Sequence, residues 1–81
     1  MPLNYTNPVR YWSGNAPKTC DTCSGPIANV FTDGKTNRGP WAIMCPACLP
    51  RYFMPRDGKH GTGVGQQYTK QSDGRFMKTA G

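Results

Sequence analysis

Long apolar runs are missing from this chain: the most extended is Trp41-Ala42-Ile43-Met44-Cys45, far short of the roughly 20 residues that a membrane-crossing helix needs. No charged amino-terminal segment leads into an apolar stretch with a small-residue cleavage site, the pattern of a secretory signal. The expectation is a soluble intracellular protein in a reducing compartment, with no membrane partner. Acidic side chains are also scarce, with four Asp, no Glu and a single histidine, His60. So few acids and bases offer no evident pair for proton transfer, and no enzyme is expected. Helix-forming material is thin as well, because 36% hydrophobic residues are broken up by 10 Gly and 8 Pro. That composition excludes a helical bundle and leaves short strands and turns. At 81 residues the chain buries too little apolar surface to fold comfortably without metal, disulfides or a partner.

What the chain does have is cysteine in pairs. Cys20-Asp21-Thr22-Cys23 and Cys45-Pro46-Ala47-Cys48 are separated by 21 residues, and two intervening residues let one tight turn aim both sulfurs at the same ion while backbone amides point at the sulfurs. Two such turns make the closed four-thiolate site that structural zinc prefers. Cys20, Cys23, Cys45 and Cys48 are therefore the expected ligands of one zinc ion. Two disulfides are the bland alternative, disfavoured by a reducing compartment. Iron is the closer competitor, since four thiolates at this spacing also make a rubredoxin-type electron-transfer centre.

Around these pairs the chain punctuates itself. Residues 1–17, with Pro2, Pro8, Gly14 and Pro17, read as a loosely ordered arm whose Tyr11 and Trp12 could dock on the metal module. Ile27 to Thr32 has strand character and Asp33-Gly34 is a strong turn signal. Trp41 to Met44 reads as the second strand of an antiparallel hairpin that brings both cysteine pairs to one end, with Trp41 packing beside the site. Residues 51–54 suit a helical turn or a strand before Pro55. Gly61-Thr62-Gly63-Val64-Gly65 lacks the features of a P-loop or a dinucleotide fingerprint and reads as a flexible connector, with His60 an exposed loop residue. Gln66 to Lys70 and Arg75 to Lys78 flank Ser72-Asp73-Gly74, which suggests a second hairpin.

Ten Lys and Arg give a net charge of +6, a balance that favours anionic partners. Within residues 20–48 Lys35 and Arg38 cancel Asp21 and Asp33, and four thiolates with one zinc would bring that segment to about −2. The flanks carry the positive charge. Arg51, Arg56, Lys59, Lys70, Arg75 and Lys78 are interleaved with Tyr52, Phe53, Tyr68 and Phe76, the mixture that stacks bases while tracking phosphates. The same rings are also what so small a domain needs for its core.

The two cysteine turns, each beside a short apolar strand, resemble the knuckles of a zinc ribbon over residues 18–50, although Ser24 and Leu49 stand where a glycine often follows the second cysteine. The whole layout is similar to small bacteriophage zinc-ribbon proteins of unassigned activity, which join a ribbon to a Gly-x-Gly-x-Gly-Gln-x-Tyr segment, here Gly61 to Tyr68, and to an Asp-Gly-Arg turn, here Asp73 to Arg75. The resemblance implies a binding role more often than a catalytic one. The expected fold is small and mostly β: a zinc-ribbon hairpin over 18–50, then a glycine-rich loop and basic carboxy-terminal hairpin over 51–81, packed on or tethered to the ribbon. The expected function is a non-catalytic zinc-ribbon module that binds nucleic acid through the basic carboxy-terminal residues. The alternative is a protein-interaction module, either a phage factor engaging a host protein in the host cytoplasm or a small virion component.

Overall fold

The computed structural model describes residues 9–54, 60–61 and 63–81. Four strands follow the β-branched and aromatic positions: β1 (Val30–Lys35), β2 (Trp41–Met44), β3 (Gly65–Lys70) and β4 (Phe76–Ala80), with one short helix, α1 (Leu49–Tyr52), between β2 and β3. They form a single antiparallel sheet in the order β2-β1-β3-β4, so the protein is mostly β. The β1–β2 and β3–β4 hairpins are local. The pairing that joins them, Val30 with Thr69 through Gly34 with Gly65, spans more than thirty residues of chain.

The strand expected to end at the Asp33-Gly34 turn instead runs through both residues to Lys35, and the chain reverses at Thr36 to Pro40. The cause is Phe53. Phe53 bridges to Thr36, and its ring lies across the facing pair Gly34 and Gly65. A Cβ added at Gly34 would stand 2.8 Å from Phe53 Cε1, and one at Gly65 would stand 2.7 Å from the same atom. These glycines are a floor for an aromatic ring, the cross-strand use of glycine that sheets employ. Gly34→Ala is accordingly expected to force the ring off the sheet and to cost about 1–3 kcal/mol, read as a lowered denaturant midpoint of the metal-loaded protein.

The opposite face of the sheet carries a second core. Phe31, Tyr68, Phe76 and Trp12 pack ring against ring, with centroids 5.1 to 5.3 Å apart, within the range that aromatic pairs prefer. Tyr11 and Trp12 do not dock on the cysteine module as expected. Tyr11 bridges to Met77, the Trp12 N–H donates to the Phe76 carbonyl and the Lys78 N–H to the Arg10 carbonyl, so residues 10–12 cover the free edge of β4. Covering an open edge removes a site of unwanted strand pairing.

The Gly61 to Gly65 segment is not a loose connector at its described residues. The Val64 and Gly65 amides both donate to the Gly61 carbonyl, Val64 is buried, and its carbonyl accepts from the Lys35 N–H. His60, expected in solvent, is half-buried: it packs 4.8 Å from the Phe53 ring, and its Nε2 lies 3.0 Å from the buried Thr32 hydroxyl. Burial holds its pKa below the ordinary histidine value, favouring the neutral ring. Among the described residues no helix is long and apolar enough to cross a membrane.

Candidate metal centre

Each cysteine turn is built by a different local device. The first is a small hairpin: Thr19 bridges to Pro26, the Cys20 N–H donates to the Gly25 carbonyl, and the Ser24 N–H donates to the Cys20 carbonyl. Closing that turn requires a left-handed residue, and Ser24 takes it at φ 63°. The second turn needs none. The Leu49 N–H returns to the Cys45 carbonyl and the chain runs straight on into α1, where Pro50 occupies the first turn, a position that tolerates a missing N–H. The two places where a glycine might have followed therefore differ physically. A left-handed L-residue costs about 1–2 kcal/mol, partly offset by the chain entropy that glycine gives up. Ser24→Gly is expected to stabilise the metal-loaded fold by roughly 0.5–1 kcal/mol, raising its melting midpoint, whereas Leu49→Gly lowers it.

Asp21 fastens the first turn to the sheet. Its N–H donates to the Ile43 carbonyl and its carboxylate accepts from the Ile43 N–H, both at 2.8 Å. The pair imitates a strand partner along the open edge of β2 and sets the two cysteine turns face to face. The neighbouring Asp33 carboxyl is pushed up from its usual range by burial and by the charge of Asp21.

The four sulfurs of Cys20, Cys23, Cys45 and Cys48 all lie within 4.8 Å of one another, and Cys23 Sγ is 3.8 Å from Cys45 Sγ. Metal–thiolate bonds of about 2.3 Å in a tetrahedron place neighbouring sulfurs about 3.8 Å apart, whereas a disulfide holds its sulfurs at about 2.05 Å. All four are free thiols, and three of them are buried with Met44 at 0% exposure. The cluster has the spacing and shelter to hold a metal ion.

Donors converge on the sulfurs. The Cys45 N–H reaches Cys20 Sγ at 3.3 Å, the Thr22 hydroxyl lies 3.0 Å from the same sulfur, and the Gly25 N–H reaches Cys23 Sγ at 3.3 Å. Burial pushes the Cys20 thiol up, but the Thr22 hydroxyl and the amides of Cys45, Thr22 and Cys23 outweigh it and bring the group down to about 6. At Cys48 the Thr22 hydroxyl pulls downward, yet burial and the three neighbouring cysteines push the thiol up to about 12. The first thiolate forms easily, and the last needs a cation among the sulfurs. Thr22 escaped the sequence reading, although a small hydroxyl between paired cysteines is the kind of group that supports a thiolate.

The basic residues singled out in the sequence divide. Lys70, Arg75 and Lys78 belong to the β3–β4 hairpin, whereas Arg51 sits on α1 and its carbonyl is held by the Asn37 side chain at the other end of the sheet. Arg56 and Lys59 lie outside the described residues. Between residues 15–18 and the β3–β4 turn runs a cleft of about 470 Å³, lined by Lys18, Lys70 and the Phe76 edge, and continued by a second lobe of about 250 Å³ at Trp12 and Arg75. Arg75 lies 3.9 Å over the Tyr11 ring and is paired with Asp73 at 2.9 Å. Of the four interleaved rings, Tyr68 and Phe76 pack in the aromatic core, Phe53 lies on the glycines, and Tyr52 underlies the Arg38 guanidinium at 5.0 Å. Trp41, expected to pack, is 45% exposed.

The chain matches no protein-family model, no curated protein and no solved structure.

Proposed function

We propose that this protein is a non-catalytic module, folded around one zinc ion on Cys20, Cys23, Cys45 and Cys48, that binds nucleic acid through its basic carboxy-terminal hairpin. Four thiolates hold zinc and iron alike, and zinc is proposed because an ion without redox chemistry suits a module whose metal serves to fold it. Four thiolates fill a tetrahedral ion and leave no position for a reacting water, which supports a structural role. The observation that carries the nucleic-acid reading is the cleft beside β4, where Lys18 and Lys70 join Asn15, Ile27 and Phe76 in the lining, with Arg75 at its second lobe. Among the described residues Arg75 alone has an acidic partner, so Lys18, Lys70 and Lys78 keep their charge for phosphates.

The test is binding of the zinc-loaded protein to a fluorescent oligonucleotide across a salt series. The logarithm of affinity should fall linearly with the logarithm of salt, and the combined variant Lys18→Ala, Lys70→Ala, Lys78→Ala should weaken binding and flatten the slope by about 2–3. A protein captured from lysate that survives nuclease and high salt, together with no oligonucleotide binding, would replace this reading with the protein-interaction one.

A further inference from the structure

The cleft beside β4 is a recess between two walls, and that shape decides which form of nucleic acid it can take in. Residues 15–18 make one wall and the end of the β3–β4 hairpin the other, with Ile27 and Phe76 also in the lining. The two lobes, of about 470 and 250 Å³, share Asn15, Ala16, Gly74 and Phe76, so they form one continuous trough. The larger lobe alone has the volume of sites that enclose small molecules. Each wall carries an exposed cation, Lys18 on one and Lys70 on the other. Among the described residues no acidic side chain lines either lobe.

Both walls are braced. The Trp12 indole N–H donates to the Asn15 carbonyl at 3.0 Å, and the Ile27 N–H donates to the Lys18 carbonyl at 2.9 Å. On the other side the Lys70 N–H donates to the Asn29 carbonyl, while the hairpin turn is closed by the Gln71 N–H on the Arg75 carbonyl and the Gly74 N–H on the Gln71 carbonyl. A recess that is already shaped loses little freedom when it is filled. The Asn15 side chain takes no part in this bracing. It belongs to an exposed residue common to both lobes, and its amide can donate and accept at once.

We infer that the cleft takes in unpaired nucleotides, so that the protein binds single-stranded nucleic acid in preference to a duplex. The strand runs along both lobes, Lys18 and Lys70 contact its phosphates, and Asn15 hydrogen-bonds the edge of a base that rests on Ile27 and Phe76. A duplex is read by a protruding element that enters its groove, and a recess is the opposite shape. Its stacked bases stay inside the helix, whereas an unpaired base can swing out and enter. The inference rests on the nucleic-acid reading above and narrows it, so the two fail differently.

Trp12 reports on the cleft. The zinc-loaded full chain carrying Trp41→Phe, which leaves Trp12 as its only tryptophan, is titrated with a mixed-sequence single strand lacking self-complementarity and with a duplex of the same length, at one salt concentration. Trp12 lines the second lobe, so its emission should change with the single strand and not with the duplex, and the single strand should bind about tenfold more tightly. Asn15→Ala keeps the carbonyl that Trp12 uses. It should weaken single-strand binding about threefold to tenfold while leaving the salt slope and the duplex affinity unchanged, a pattern that loss of a phosphate contact does not give. Equal affinity for the two forms, single-strand binding indifferent to Asn15→Ala, or saturation without a change in Trp12 emission overturns this inference and leaves the phosphate-binding reading standing. Absence of binding to either form overturns both.

Discussion

Removing the metal with a strong chelator is expected to unfold the protein, with loss of the β signal in circular dichroism and its return on adding one equivalent of zinc. Metal binding by four-cysteine modules supplies about 10–16 kcal/mol, while small domains are stable by only about 5–15 kcal/mol in total. Here the dependence has a structural reason. The buried group around the cysteines consists of the three sheltered thiols and Met44, with Ile27, Leu49, Tyr52 and Phe53 packed against it. Without the ion, several thiolates would repel one another in that space, or neutral thiols would leave a weakly cohesive pocket. Cys45→Ala should have the same consequence as chelation, because it removes one of the four sulfurs that lie within 4.8 Å of one another. Cobalt reconstitution supplies an independent readout, since a four-thiolate tetrahedral ion gives intense visible bands. A chain that keeps its sheet after complete metal removal would show that the cysteine cluster is not what holds the fold.

Much of this four-cysteine cluster was legible in the sequence, because paired cysteines two residues apart state their own geometry. The β1–β2 and β3–β4 hairpins were legible for a similar reason: each is closed by nearby turn residues. What escaped was set by distant partners. Asp33-Gly34 has turn chemistry, but Gly34 is needed where Phe53 crosses the sheet, and Phe53 lies nineteen residues further along. The β1–β3 pairing has no local signature, since either strand could have been an edge. Tyr11 and Trp12 carried a visible urge to be buried, but whether they met the metal module or β4 depended on which edge was open. His60 looked like a loop residue because its partners, Thr32 and Phe53, come from two other segments. Trp41 erred in the opposite direction: its apolar neighbours suggested a core position, yet pleating puts it opposite Lys35 at the end of the hairpin.

Phe31→Ala is expected to cost about 3–5 kcal/mol, and the loss should be confined to one half of the molecule. Phe31 is 1% exposed and touches Trp12, Tyr68 and Phe76, which come from residues 10–12, β3 and β4. It is the only one of the four aromatic-core rings that belongs to the cysteine-bearing hairpin. Truncating it empties the junction between that hairpin and the carboxy-terminal strands, while the cysteine cluster keeps its own ties through Asp21, Cys45 and α1. Regions held by separate sets of contacts open with separate free energies. Hydrogen exchange of the metal-loaded variant should therefore show lost protection at Trp12, Lys70 and Lys78, with protection retained at Cys20, Ser24, Cys45 and Leu49. The functional consequence follows from the same junction: the cleft at Lys18 and Lys70 loses its Phe76 wall. Exchange that rises equally at all seven amides would mean that the two cores fold as one cooperative unit, with the metal stabilising the aromatic half through β1.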